Sequence, residues 1–102
     1  MAYDEQLAAR VRRELGKRKD VSERRMFGGL AFMVGGHMAC GVLKDELIVR
    51  VDPTSEAASL PHARPFDFTV RPTRGMVYVA PAGVVTEDDL RDWVERGLTA
   101  TQ

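Results

Sequence analysis

The chain has 102 residues, 44% hydrophobic and 29% charged, which is the profile of one globular domain and excludes a disordered chain. Fifteen Lys and Arg balance fifteen Asp and Glu, so no net field draws the molecule to nucleic acid or to an anionic membrane, and any such binding would need a local patch. The single cysteine excludes an internal disulfide, Met1-Ala2-Tyr3-Asp4-Glu5 lacks the apolar core of a signal peptide, and no apolar run approaches the roughly 20 residues of a membrane span, so a reducing cytoplasm is expected.

Asp4 is placed to cap a first helix, with Glu5 beside the positive end of its dipole. Leu7, Ala8, Val11 and Leu15 then recur at helical spacing, and the basic cluster Lys17-Arg18-Lys19 suits a helix end near residue 18. Val21 to Met26 has a mixed pattern, consistent with a strand whose outer face is charged. Gly28-Gly29 marks a bend or bulge before the next strand. Leu30, Phe32 and Val34 share one face and Ala31 and Met33 the other. Gly35-Gly36 is a two-residue hairpin signal, since a primed turn needs positive φ at both positions. A return strand runs from His37 to Leu43, and Lys44-Asp45-Glu46 makes a polar turn. Leu47, Val49 and Val51 then alternate with Ile48 and Arg50.

Asp52-Pro53-Thr54 reads as the start of a short helix, closed by Pro61. Residues 61 to 65, with two prolines, are expected to be a loop. Phe66, Phe68 and Val70 alternate as a strand, Pro72 to Gly75 is a turn, and Met76 to Ala80 is the last strand, with Met76 and Tyr78 opposite Val77 and Val79. Thr86 caps a final helix whose stripe is Leu90, Trp93, Val94, Gly97 and Leu98, with a fraying end from Thr99. The whole, residues 1 to 102, reads as one α+β two-layer domain. Its expected order is α-β-β-β-α-β-β-α, with a five-stranded antiparallel sheet.

The run Met26-Phe27-Gly28-Gly29, Ala31-Phe32, Gly36, Met38 and Gly41-Val42 resembles the N-terminal domain of the TfoX/Sxy family. The likeness continues through Arg50-Val51, Arg64-Pro65-Phe66, Arg71-Pro72 and Arg74-Gly75-Met76-Val77-Tyr78-Val79 to Trp93-Val94, covering nearly the whole chain. Met76 stands where many relatives carry Trp. The resemblance implies an antiparallel five-stranded sheet with helices packed on it, similar to secretion-chaperone-like folds. Full-length members are linked to natural competence and to transcription activated through the cAMP receptor protein, and carry a second, C-terminal domain. This chain is expected to be a stand-alone first domain.

The residues offer little chemistry. His37 and Cys40, three apart on a strand, point to opposite faces and cannot share an ion without a bulge. The only other histidine is His62, so neither a metal nor any other cofactor is expected, and Cys40 reads as a small buried side chain. Gly28-Gly29 and Gly35-Gly36 are followed by strands rather than helices, which excludes a phosphate loop. Phe27, Phe32, Phe66, Phe68, Tyr78 and Trp93 fall on apolar faces and read as core.

Arg24, Arg25, Arg64, Arg71 and Arg74, together with Arg50, form the candidate site. Guanidinium groups converging on one rim would bind phosphates or carboxylates, although Glu23, Asp52 and Asp67 are available to pair with them. The basic stretch from Arg10 to Arg25 and the acidic helix of Glu87, Asp88, Asp89, Asp92 and Glu95 serve a partner or simply face each other. The expectation is a small non-enzymatic regulatory module that binds a protein partner, with no membrane and with unpaired strand edges favouring a homodimer. Two alternatives stay open. One is direct nucleic-acid binding through residues 10 to 25. The other is a small-molecule or anion-binding protein, or an enzyme, with a pocket beside the short helix after Pro53.

Overall fold

Two helices lie on one face of a six-stranded antiparallel sheet in the computed structural model, which describes residues 3–16, 18, 20–26, 28–52, 59–66 and 73–101, of which 65, 66, 73 and 74 by backbone. Helix α1 spans Glu5–Leu15. The Asp4 carboxylate starts it by accepting the amides of Gln6 and Leu7 at 2.9 and 3.2 Å. Its stripe of Leu7, Ala8, Val11 and Leu15 is buried. The helix stops three residues short of the expected end, because Gly16, a poor helix former, closes it with an N–H donated to the Arg13 carbonyl.

Four strands then run as a meander: β1 (Val21–Met26), β2 (Gly29–Val34), β3 (His37–Leu43) and β4 (Glu46–Arg50). The expected order allowed three before residue 52, yet each of the four stretches with a strand pattern there is a strand. Short turns make room for the fourth, with Val34 paired to His37 and Leu43 to Glu46. Gly35 and Gly36, at φ 59° and 87°, form the primed turn that two glycines predict. Gly28, at φ 79°, belongs to the β1–β2 connection, so it marks a hairpin rather than a bulge.

β5 (Ala63–Phe66) and β6 (Thr73–Val79) complete the sheet in the order β1-β2-β3-β4-β6-β5. Both start earlier than expected. Pro65 lies inside a strand because β5 is an edge, where a missing N–H costs no ladder bond on the open side. The short helix expected after Pro53, strand positions 67 to 71, Phe27 and Phe68 lie outside the described residues. A 3-10 turn (Pro81–Gly83) leads to α2 (Glu87–Ala100), whose cap is Thr86 Oγ1 accepting the Asp89 amide at 3.1 Å. α2 does not fray at Thr99: it continues to Ala100, where the Thr101 hydroxyl donates to the Leu98 carbonyl.

Strand alternation divides the apolar residues between two faces. Leu30, Phe32, Val34, Val42, Leu47, Val49, Val77 and Val79 meet the helical stripes in the main core. Ala31, Met38, Ile48, Met76 and Tyr78 cluster on the outer face. A bulge interrupts β3: Phe32 pairs with Cys40 and Met33 with Met38, leaving Ala39 unmatched. The backbone of α2 sits on this bulge, so closely that a Cβ at Gly97 would lie 2.4 Å from the Ala39 carbonyl oxygen.

Candidate interaction surface

Three arginines of the basic segment, Arg10, Arg12 and Arg18, are paired inside the fold, while Arg13 on α1 is exposed and makes no side-chain hydrogen bond or ion pair among the described residues. Arg10 Nε pairs with Glu87 at 2.8 Å, and its Nη2 donates to the Val84 carbonyl at 2.6 Å. Arg91 joins Glu14 at 3.1 Å and Asp88 at 3.2 Å. The basic first helix and the acidic last helix therefore face each other. Arg12 grips Glu23 of β1 with two bonds of 2.6 and 2.8 Å. That bidentate contact holds the Glu23 carboxyl below its usual range, against a smaller desolvation effect, and raises the Arg12 guanidinium. Arg18 pairs with Asp20 at 3.3 Å.

Like Arg13, Arg24 and Arg25 are unpaired, and they are neighbours on one strand. Both are exposed on β1, and neither makes a side-chain hydrogen bond, ion pair or ring contact among the described residues. Register puts Arg25 opposite Leu30 on the helix side and Arg24 opposite Ala31 on the outer side. Two free guanidinium groups thus flank an edge strand, one per face.

The other candidate arginines do not join them. Arg64 on β5 pairs with Glu46 at 2.5 Å and lies 4.0 Å above the Tyr78 ring, closing the outer apolar cluster. Arg50 donates from Nε to the Met38 carbonyl at 2.6 Å, a structural bond. Arg74 belongs to β6, and Arg71 lies outside the described residues. The expected single rim is corrected accordingly. β1 and β5 are opposite edges of the sheet, roughly 24 Å apart at the usual strand spacing.

The bulge at Ala39 changes the reading of His37 and Cys40. It returns both to the helix side of the sheet, since His37 pairs with Val34 and Cys40 with Phe32. They still form no site, because His37 is exposed and Cys40 is fully buried. Burial pushes the thiol up to about 12, the opposite of an activated nucleophile. Among the described residues no three His, Cys, Asp or Glu side chains are grouped to hold a metal ion. Phe32, Tyr78 and Trp93 are core, as their spacing indicates.

An open cleft of about 240 Å³ lies between α2 and the β5 approach, lined by Leu60, His62, Gly83, Asp92, Trp93 and Arg96 among others, and nothing in the sequence pattern marked α2 as one of its walls. His62 holds φ 68° there, with its carbonyl accepting the Ala80 amide. The missing Cβ of Gly83 makes room for it, since an added Cβ would sit 2.8 Å from that of His62. Arg96 stacks over Trp93 at 5.4 Å. No buried side-chain nitrogen or oxygen among the described residues lacks a partner, so no unmet side-chain hydrogen bond points into the cleft.

The model of the TfoX N-terminal domain matches residues 13–101. The chain belongs to the TfoX N-terminal domain family. No curated protein and no solved structure matches it. The match covers every strand and α2, and leaves out most of α1. Among its described residues this TfoX N-terminal domain is an open antiparallel sheet of six strands with two helices on one side, where five strands were expected. Among the described residues no helix is long and apolar enough to cross a membrane.

Proposed function

We propose that this TfoX N-terminal domain is a small, non-enzymatic regulatory module that works by binding an acidic protein surface, in a setting of competence or transcriptional control. Family membership supports the regulatory setting. The observation that carries the binding mode is the adjacency of two unmatched arginines on an edge strand; Arg13 on α1 is also exposed without a side-chain partner among the described residues, but it stands alone. Arg10, Arg12 and Arg18 are each matched by an internal carboxylate, whereas Arg24 and Arg25 stand exposed and unmatched on an edge strand. Unpaired guanidinium groups retain their full capacity for bidentate bonds to carboxylates.

The nucleic-acid reading draws less support, because internal carboxylates neutralise Arg10, Arg12 and Arg18 within the segment from residue 10 to residue 25. Phosphate contacts would have to come from what remains. The pocket reading rests on an open cleft without an unsatisfied buried group.

Affinity capture from native extract with the wild-type domain and the Arg24→Ala/Arg25→Ala variant tests the proposal. An acidic protein should be retained by the wild type and bound about tenfold or more weakly by the variant. The variant should melt within about 1 °C of wild type, since exposed unpaired side chains contribute little to stability. Equal capture by both proteins, or retention of nucleic acid alone, refutes it.

A further inference from the structure

The sheet has two edges, and they are not equivalent. β5 is blunted: Pro65 offers no N–H, and its register with β6 breaks at the next residue. β1 keeps unbroken register with β2 from Val21↔Val34 to Met26↔Gly29. Just before that ladder the Gly35 amide donates to the Asp20 carbonyl at 3.1 Å. Antiparallel bonding alternates from that pair, so Ser22, Arg24 and Met26 bond inward to β2. The amides and carbonyls of Val21, Glu23 and Arg25 then point away from the sheet.

We propose that β1 pairs antiparallel with the β1 of a second copy of this chain, in the register that places Arg24 opposite its own mate. A twofold axis normal to the sheet keeps each face continuous across the pair. Residues that meet must therefore lie on the same face, which excludes every register that slips by one. Two registers keep most of β1 paired. The first centres on Glu23, setting it against its own copy and Val21 against Arg25. The second centres on Arg24 and sets Glu23 against Arg25 twice, on the helix side, where each Glu23 carboxylate, already holding Arg12 through both oxygens, would be shared with the Arg25 of the other copy. In this second register Ser22 faces Met26. Its one mismatch is Arg24 against Arg24 on the outer face. The charges on β1 thus reject indiscriminate strand addition and admit one alignment with itself.

A strand pair of this length lies below the roughly 1,200 Å² of a standard interface, so association is expected near 100 µM in order of magnitude. Sedimentation equilibrium of the purified protein from about 10 µM to 1 mM should show the mass rising from monomer toward dimer across that midpoint. Glu23→Arg and Arg25→Glu variants should each stay monomeric alone and form a heterodimer when mixed, because the mixture restores opposite charges at both positions. Arg24→Thr should tighten self-association about two- to fivefold by removing the like-charge pair.

Arg24→Cys tests the register without charge reversal. Cross-strand residues of a non-hydrogen-bonded pair sit about 4.5 Å apart at Cα, within disulfide reach, so a linked dimer should form on mild oxidation. Cys40 is buried and does not compete. A monomer at every concentration, no heterodimer from the mixture, or cross-linking through Glu23→Cys instead of Arg24→Cys overturns the proposal. These assays use the purified chain alone, so their outcome is independent of whether an acidic partner exists.

Discussion

Gly97→Ala gives the sharpest test of how the helical layer is seated. The added Cβ would meet the Ala39 oxygen at 2.4 Å, the Ala39 carbonyl carbon at 3.2 Å and Val49 Cγ1 at 3.5 Å. The first contact is with backbone, which no rotamer change relieves, so α2 must lift from β3 by about 0.5–1 Å to reach ordinary contact. Overpacking of this kind costs about 1–3 kcal/mol. Lifting also loosens Leu90, Trp93, Val94 and Leu98, which α2 buries along the same face, so the upper part of that range applies. Alanine's helix propensity returns about 1 kcal/mol. The net loss is about 1–2 kcal/mol, or a melting temperature lower by about 5–15 °C for a domain of this size. Urea and thermal unfolding followed by circular dichroism measure it, with the midpoint falling and the slope unchanged. Gly16→Ala is the control: φ is −62° there and an added Cβ would lie 3.2 Å from the Arg12 carbonyl oxygen, tight by only a few tenths of an ångström, so the change should stay within about 0.5 kcal/mol of neutral. A Gly97→Ala protein as stable as wild type would refute the close seating of α2 on the bulge.

Arg10→Met should destabilise by about 1–2 kcal/mol, because one guanidinium ties α1 to the Val84 carbonyl and to Glu87 at the start of α2. That range allows for its partial exposure. Arg10→Lys should rescue little of it, having no planar fork to hold both acceptors, and the check is again denaturant unfolding. Cys40 makes the fold sensitive to alkali. Its folded pKa of about 12 stands above the ordinary 9.0, so its contribution is complete below pH 9 and is lost as pH rises toward 12. Wild type should therefore lose stability relative to Cys40→Ala by up to about 1.4 kcal/mol per pH unit in that window, measured as the difference between their urea midpoints.

The legible parts of the fold are those where a local requirement has one chemical solution. Two consecutive positive φ angles call for Gly35-Gly36, an N-cap calls for Asp4 or Thr86, and one buried stripe per helix calls for apolar residues at helical spacing. What escaped was set by neighbours distant in sequence. Ala63 to Pro65 reads as loop until β5 is seen to be an edge. The Ala39 bulge is invisible because both faces of β3 are apolar, so a change of parity leaves no trace in the pattern. For the same reason His37 and Cys40 seemed to oppose each other when they share a side. Among the arginines, Arg64 was legible as polar but not as the lid over Tyr78, which needs β5 beside β6. The expectation of one shared rim failed because strand order, not sequence order, decides which residues are neighbours.

Net neutrality sharpens what β1 can do. With no overall charge the domain exerts little long-range steering, and at physiological ionic strength isolated charges act over only about 8 Å. Selection must then happen at contact, where a strand edge has an advantage: its outward amides supply direction, while its side chains decide register. Glu23 is already drawn back by Arg12, leaving Arg24 and Arg25 as the charges a newcomer meets first. The two proposals are linked through Arg24. Self-pairing brings two Arg24 side chains together on the outer face, and a carboxylate from an acidic partner would relieve their repulsion. Reciprocity follows from linkage: whatever factor the partner adds to dimerisation, dimerisation adds to partner affinity. A domain of this kind would sense its partner by changing its own oligomeric state.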